Sequence, residues 1–241
     1  MEKKNPVNEH PSVVIAYSED VGKLLLSIYD CTYPHRAYRC AANNIGGNPG
    51  SDDGNSIESD QSPIDVLRRE IKEEFNPDHG GKKIHWGLVD WAEKDDIELL
   101  RDSLLTNIEP HSDFYFEIGT FPDGPTKLIK GICSVFSTSI SEQVILCVER
   151  NGRGKHYRHL STEGLVDTFT LDELVKSPKG NAATAYATAP ILNHRFESRI
   201  RFPDEVSAKP IGQPRESFEE YLKEFSYEVE LRKKIFGQDS L

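Results

Sequence analysis

The stretch that most constrains the fold is residues 62–77, which carries the start and stop signals of an amphipathic helix. The Ser-Pro pair at 62–63 is typical of an N-cap followed by the first helical position. The Asn-Pro pair at 76–77 is typical of a helix end. At about 3.6 residues per turn, four apolar residues share one face: Ile64, Leu67, Ile71 and Phe75. The pattern predicts a helix over 64–75 whose apolar face packs on a core.

The opposite side of this helix carries Glu70, Glu73 and Glu74 at spacings of three and four residues. Like charges at such spacings repel by a few tenths of a kcal/mol per pair, so folding alone gives no reason for them. A divalent cation does, because Mg²⁺ prefers hard oxygen ligands. The alternative is an ordinary solvated face, in which Arg69 forms salt bridges with Glu73 and Asp65.

Composition narrows the class of protein. The chain has 241 residues, 37 % of them hydrophobic, and a net charge of −11, which suits one large domain with elaborations and makes binding to long nucleic acids unfavourable. No apolar run is long enough to span a membrane, and "MEKKNPVNEH" lacks the apolar segment of a secretory signal. The four cysteines form no CxxC pair. These features predict a soluble, cytoplasmic protein with reduced thiols and no membrane partner.

The remaining segments mix strands and helices without a regular βαβ rhythm, which favours the α+β class. Strands or hairpins are expected at 12–30, 37–45, 84–91, 113–121, 132–138 and 143–150, with a strand running into a short helix at 165–175. Further helices are expected at about 95–107 and at 181–199, the latter broken at Pro190. A polar loop covers 48–60. A proline-containing linker at 200–214 and an amphipathic helix at 215–236 complete the chain; that helix either docks on the domain or forms a homodimer contact.

Together, the Gly-Gly pair, the loop and the helix resemble the Nudix hydrolase family. The family's box reads G, five residues, E, seven residues, R-E-U-x-E-E-x-G-U, where U is bulky and aliphatic. Residues 69–74, "REIKEE", match its second half, and Gly47 is a candidate for its first glycine. The resemblance covers roughly residues 10–199. It implies an α+β fold with a mixed β-sheet sandwiched between helices, followed here by a C-terminal helical extension.

Three departures from the box stand in this sequence. Gln61 replaces the box glutamate that, in the family, helps to hold the helix arginine. We expect Gln61 to hydrogen-bond Arg69 or Glu58 to substitute for it. Thirteen residues separate Gly47 from Gln61, where the box has five. The glycine after the last glutamate is missing, because Phe75 follows Glu74.

The resemblance also implies a mechanism and a ligand set. Mg²⁺ or Mn²⁺ would be held by Glu73 and Glu74, with Glu70 assisting as a ligand or an orienting group. Arg69 would brace the helix through ion pairs. The backbone at Gly46 and Gly47 would approach substrate phosphates closely, because no Cβ intervenes. The general base is either a helix glutamate or Glu163, from the loop before "LVDTFTLDEL".

The expected function is therefore metal-dependent hydrolysis of a nucleoside diphosphate linked to another moiety, with a small nucleotide as substrate. Two rival hypotheses remain open. The first is a Nudix-like sensor that binds a nucleotide without cleaving it, for which Gln61 and the long loop argue. The second is an unrelated interaction protein whose acidic helix is merely surface.

Overall fold

A computed structural model describes residues 4–29, 39–50, 60–78, 90–120, 127–152, 157–177 and 187–237. The strands in these ranges are β1 Asn5–Val7, β2 Ser12–Ser18, β3 Lys23–Ile28, β4 Ala42–Asn43, β5 Ile45–Gly47, β6 Glu109–Ile118, β7 Ile129–Ser139, β8 Leu165–Thr170, β9 Val206–Gly212 and β10 Phe225–Tyr227. The helices are α1 Pro63–Glu74, α2 Lys94–Leu105, α3 Glu142–Gly152, α4 Leu171–Lys176, α5 Thr188–Phe196, α6 Phe218–Tyr221 and α7 Val229–Phe236.

The main sheet contains β2 to β9 and mixes parallel and antiparallel pairs. Its strands run in the order β4-β3-β2-β7-β6-β9, with β8 also pairing with β3. β2 and β7 are parallel, whereas the other pairs are antiparallel. β2 pairs with β5 at its start and with β3 at its end. That arrangement brings the Gly-Gly pair of β5 onto the central strand of the sheet.

Alternating side chains divide the core between the two faces of this sheet, as the period of two in a strand requires. On β2, Val14 and Ala16 belong to the core under α1, α2 and α3. Val13 and Ile15 belong to the core under α5 on the other side. The expected α+β class, with a mixed sheet between helices, is thus observed.

The C-terminal extension packs on the domain. β10 pairs in parallel with β1 near the other end of the chain, and the amide of Glu228 donates to the carbonyl of Val7 (2.9 Å). Buried side chains of this extension share a third core with α1 and β7: Phe218, Tyr221, Phe225, Leu231 and Ile235. Docking, one of the two expected roles of this segment, is therefore observed, while a homodimer stays a prediction.

Two expectations for the C-terminal third of the chain are wrong. Residues 206–212 of the expected linker form β9, which pairs with β6 and extends the sheet beyond residue 199. Pro210 is tolerated there because β9 is the edge strand of the sheet that the described residues form. The expected helix over 215–236 is instead two helices, α6 and α7, separated by β10. Pairing with β1 supplies backbone hydrogen bonds that a continuous helix would have made internally.

The expected strand over 143–150 is also wrong, because this segment forms α3. Its buried residues Val144, Ile145, Cys147 and Val148 follow helical spacing, and Leu146 between them is 56 % exposed. Pro190 does not break α5. It occupies the first turn, where the amides have no partner within the helix in any case.

The other sequence expectations have mixed outcomes. The hairpin at 12–30 is confirmed as the β2–β3 pair, and α1 and α2 lie within a residue or two of their expected bounds. The expected strand at 84–91 falls largely outside the described residues. Cys133 and Cys147 are free thiols. Cys40 is disulfide-bonded, contrary to the expectation of reduced thiols throughout; disulfides are uncommon in a reducing cytosol. Among the described residues, no helix combines the length and apolarity needed to cross a membrane.

Candidate functional site

Helix α1 positions the acidic residues because both of its ends are held. Ser62 adopts the extended backbone of an N-cap, and Pro63 follows at the first helical position. The Ser62 hydroxyl donates to the Asp65 carboxylate (2.6 Å) instead of capping a backbone amide. On the apolar face, Leu67, Ile71 and Phe75 are fully buried against the sheet, and Ile64 is partly buried.

The Gly-Gly pair of β5 lies directly against the acidic side of α1. A Cβ at Gly47 would lie 2.5 Å from the carboxyl carbon of Glu70. At Gly46 the backbone has φ +137°, and a Cβ would lie 2.1 Å from the carbonyl oxygen of Ser12. Glycine is therefore required at Gly46, by close approach to backbone and by backbone conformation. At Gly47 a side chain would displace the Glu70 carboxylate from its present position.

Four carboxylates meet at one cavity of about 650 Å³. They are the three glutamates of α1 and Glu163 from the loop before β8: Glu70, Glu73, Glu74 and Glu163. Gly46, Gly47 and Arg69 line the same cavity. All the residues that the sequence singled out are thus brought together, although Glu163 is about ninety positions from α1 in the chain.

The buried carboxylates of this cavity hold protons more tightly than usual. Burial raises the pKa of Glu70, Arg69 opposes that rise and the charge of Glu163 adds to it, so that the pKa is about 7. Burial also raises the pKa of Glu74 well above its ordinary value, reinforced by Glu163 and Glu70. A hydrogen bond from the Gly46 amide to Glu74 opposes that rise. The cavity therefore has an excess of negative charge that positive charge from outside would relieve.

Arg69 braces the cavity through Asp60, a partner that the sequence analysis did not identify. Its guanidinium donates to Asp60 through Nε (3.2 Å) and Nη2 (3.1 Å), and it pairs with Glu70 (3.0 Å) and Glu73 (2.9 Å). Nη2 also donates to the carbonyl oxygen of Asn48 (2.8 Å). The pair with Glu73 was expected, whereas the one with Asp65 is not formed in the described contacts of Arg69.

The expectation that the Gln61 side chain holds Arg69 is wrong. Gln61 is exposed, and its backbone carbonyl accepts from the amide of Phe218 (3.1 Å). Glu58 lies outside the described residues. Asp60 is 8 % exposed and also accepts from the amide of Gly50 (3.2 Å). A carboxylate one position before Gln61 thus neutralises the helix arginine.

The loop that carries Glu163 is fastened to the end of α1. The Thr162 amide donates to the carbonyl of Glu74 (2.8 Å), and the Thr162 hydroxyl donates to the carbonyl of Glu73 (3.2 Å). These bonds satisfy carbonyls that a helix end leaves without partners. At Gly164 a Cβ would lie 2.8 Å from the carbonyl oxygen of Ile28, so the loop also sits tightly on β3. Glu163 between them is exposed at the cavity.

The carboxylates are gathered but not yet arranged as a metal site. Within the described ranges, no three carboxylate, imidazole or thiol groups are placed so that they could hold a metal ion together. Glu70 is paired with Arg69, and Glu74 accepts from Gly46. Side-chain rotation within the cavity would be needed to bring three oxygen ligands to one point.

Lys234 of α7 brings the C-terminal extension to the rim of the cavity. It lines the cavity together with Arg69 and contacts Gly50, where a Cβ would lie 3.5 Å from the Lys234 Cβ. Arg69 is occupied by three carboxylates, whereas Lys234 forms no ion pair with the carboxylates of the described residues. An anionic ligand entering the cavity would meet this exposed ammonium.

Comparison of the chain with protein-family models and with curated proteins gives no significant match.

Three contributors to the site escaped the sequence analysis: Asp60, Thr162 and Lys234. Asp60 lies one position before Gln61, the residue that the motif aligns with the missing glutamate. That neighbouring position is the one sign in the sequence that Asp60 could pair with Arg69. Thr162 acts through its backbone amide, which every residue other than proline has, and through a hydroxyl that nothing in the local sequence links to α1. Lys234 reaches the cavity only because the C-terminal extension folds back, and the local sequence carries no sign of that.

Proposed function

We propose that this protein is a Nudix-type hydrolase that cleaves a nucleoside diphosphate linked to another moiety, with Mg²⁺ or Mn²⁺ as cofactor and a small nucleotide as substrate. The observation that carries the proposal is the meeting of Glu70, Glu73, Glu74 and Glu163 at one cavity, with the glycine backbone of β5 against them. Three like charges on one helix are unfavourable for folding, and burial, together with the charge of Glu163, raises the pKa of both Glu70 and Glu74.

The donor set fits a hard divalent cation. Carboxylate oxygens are the ligands that Mg²⁺ and Mn²⁺ prefer, and the absent side chain at Gly47 lets the Glu70 carboxylate lie against the backbone of β5. Glu73 and Glu74 would be the main ligands, with Glu70 as a third or as an orienting group. When bound, the cation would neutralise the phosphates and acidify water.

The residues of the chain would divide the remaining work. Arg69, held by Asp60, fixes the orientation of α1 and of Glu70 and Glu73. Glu163 would accept the proton of the attacking water, since it is exposed at the cavity. The new bond joins the water oxygen to phosphorus, and the phosphoanhydride P–O bond breaks. Gly46 and Gly47 would admit the diphosphate close to the backbone.

A nucleotide sensor without turnover is the second candidate. It is favoured by the arrangement of the carboxylates, which among the described residues do not already converge as a metal site. The pairing of Asp60 with Arg69 weighs on the other side, because it restores the charge that Gln61 does not provide.

A release screen separates the candidates. Purified protein is incubated with a panel of nucleoside triphosphates, dinucleotides and nucleotide sugars, each with Mg²⁺, with Mn²⁺ and with EDTA, and released phosphate and nucleotide are measured. We expect metal-dependent cleavage that the double variant Glu73→Gln/Glu74→Gln loses by at least a hundredfold while it stays folded. Glu142→Gln, an exposed change on α3, is the matched control and should cleave normally.

Other outcomes of this screen point elsewhere. Thermal stabilisation by a nucleotide without any product would favour the sensor. Full activity in the Glu73/Glu74 double variant would refute the hydrolase assignment. No effect of metal on binding or on thermal stability would leave an interaction protein with an acidic surface as the better description.

A further inference from the structure

A second, smaller cavity of about 70 Å³ opens beside the glutamate cavity. The two cavities share a wall, formed by Tyr29, Asn43, Asn44, Gly46, Gly47 and Asn48. Away from that wall the smaller cavity is mainly apolar, with Val13, Phe116 and Ile191 among its lining residues. Small-molecule sites commonly have this character, with apolar walls and a few fixed polar groups.

Asn44 is the polar group that stands out in this shared wall. Its side chain is 1 % exposed, and within the described part of the chain neither Nδ2 nor Oδ1 has a hydrogen-bond partner. Leaving a buried donor or acceptor unpaired is unfavourable, because the group has lost its hydrogen bonds to water without replacement. The neighbouring Asn48 Oδ1 is likewise buried and unpaired there. The fold thus holds an amide at a cavity without using either of its polar atoms.

The adjacent Asn43 shows what a structural asparagine looks like at this place. Its Nδ2 donates to the Tyr29 hydroxyl (3.2 Å), and its Oδ1 accepts from the Thr188 hydroxyl (2.7 Å). Among the described residues, the hydrogen bond of Asn44 comes from its backbone, whose amide donates to Thr188 Oγ1 (3.3 Å). The position of Asn44 is therefore set by the fold, while its side chain is left for another partner.

We infer that the Asn44 carboxamide recognises the nucleobase of the substrate, an inference that rests on the proposed function. A carboxamide presents a donor beside an acceptor in one plane, the arrangement that pairs with the complementary edge of a base. Asn44 lies three residues before Gly47 on the same wall, so a base at Asn44 and phosphates at the glutamates fit one ligand. The small cavity holds the edge of the base, and the rest of the ring lies in the shared opening.

The test compares Asn44→Leu with the wild type by titration calorimetry in Mg²⁺. The probes are ADP, GDP, UDP and CDP, with inorganic pyrophosphate as the probe without a base. We expect the variant to bind the tightest of these diphosphates at least tenfold more weakly and to bind pyrophosphate as the wild type does. Its melting temperature should stay equal or rise, because the substitution removes an unpaired amide from an apolar setting.

Two further variants keep the test decisive. Asn44→Ala is used in place of Asn44→Leu if a leucine side chain does not fit between the two cavities. Asn43→Leu is the contrast, since it deletes two formed hydrogen bonds and should lower the melting temperature. An Asn44 amide that merely holds ordered water would behave like Asn43: its replacement would destabilise the fold and leave the affinities unchanged. That result would overturn the inference.

The probes also separate this inference from the proposed function. If the wild type binds pyrophosphate as tightly as every nucleoside diphosphate, Asn44 reads no base and the inference fails, while the glutamate site stands. If instead the diphosphates bind in an Asn44-dependent way without any need for Mg²⁺, the base site stands and the metal-dependent function fails.

Discussion

The pairing of Asp60 with Arg69 gives the sharpest prediction about what holds the candidate site together. In Asp60→Asn the negative charge is lost, whereas the shape and one acceptor oxygen are kept. Arg69 retains Glu70 and Glu73 as partners (3.0 and 2.9 Å), so the full penalty of about 3–5 kcal/mol for breaking a buried pair does not apply. The loss is closer to that of one hydrogen bond to a charged group, about 2 kcal/mol.

That loss is measurable as a change in melting temperature. For domains of roughly 150–250 residues, 1 kcal/mol corresponds to about 2–4 °C, so Asp60→Asn should melt about 4–8 °C lower than the wild type. Asp78→Asn is the matched control. It removes the exposed carboxylate 3.4 Å from Lys94, and exposed pairs contribute about 0–1 kcal/mol. Its melting temperature should stay within about 2 °C of the wild type.

Gln61→Ala tests the competing hypothesis drawn from the sequence motif. Because the Gln61 side chain is exposed, we expect little change in stability. Two results would refute this reasoning and show that Asp60 does not brace Arg69. One is a greater loss of stability in Gln61→Ala than in Asp60→Asn. The other is an Asp60→Asn melting temperature equal to that of the wild type.

Three further predictions concern the site and the C-terminal extension. Gly47→Ala places a methyl group against the Glu70 carboxylate, 2.5 Å from its carbon, and should reduce metal-dependent cleavage at least tenfold in a release assay; unchanged cleavage would contradict the close approach. Burial holds the pKa of His10 at about 3, so below pH 6.5 the unfolded chain binds a proton that the folded one does not. The free energy of unfolding therefore decreases as pH falls. Between pH 6.5 and 5 the wild type should lose about 2 kcal/mol relative to His10→Gln, measured by urea unfolding. Parallel pH profiles of the two proteins would argue against a buried neutral histidine. Lys234→Ala should raise the KM for a nucleotide substrate several-fold without changing the melting temperature, whereas Lys233→Ala, whose side chain is outside the cavity and near Glu230, should leave KM unchanged.

The helix that carries the site could be predicted from sequence because its signals are local. The proline at its first position, the apolar face and the acidic side all lie within one stretch, and such periodicity survives in almost any tertiary setting. The grouping of Glu70, Glu73 and Glu74 follows from helix geometry alone. Placing Glu163 beside them required a family resemblance, since nothing near Glu163 indicates where its loop goes.

Segment 143–150 shows why a secondary-structure prediction from the local sequence fails when a short apolar run has no clear hydrophobic periodicity. Its run of apolar residues suits a buried strand as well as a helix, and periodicity does not separate the two when the run is short. Only the exposure of Leu146, between neighbours that are buried, identifies helix α3. That exposure is a property of the packed core and is not visible in the sequence.

The α+β class and helix α1 with its three carboxylates are predictable from the amino-acid sequence alone, and the resemblance to the Nudix box adds the Gly-Gly pair. Tertiary structure decided that Asp60 holds Arg69 in place of Gln61, that β9 forms along β6, and that α7 brings Lys234 to the cavity. Each of these depends on pairing between segments far apart in the chain. Pro210 is acceptable in β9 because that strand lies at the edge of the described sheet. β10 forms because β1, more than two hundred residues away, offers backbone partners. Such contacts depend on the packing of the whole core, so local secondary-structure propensities do not predict them.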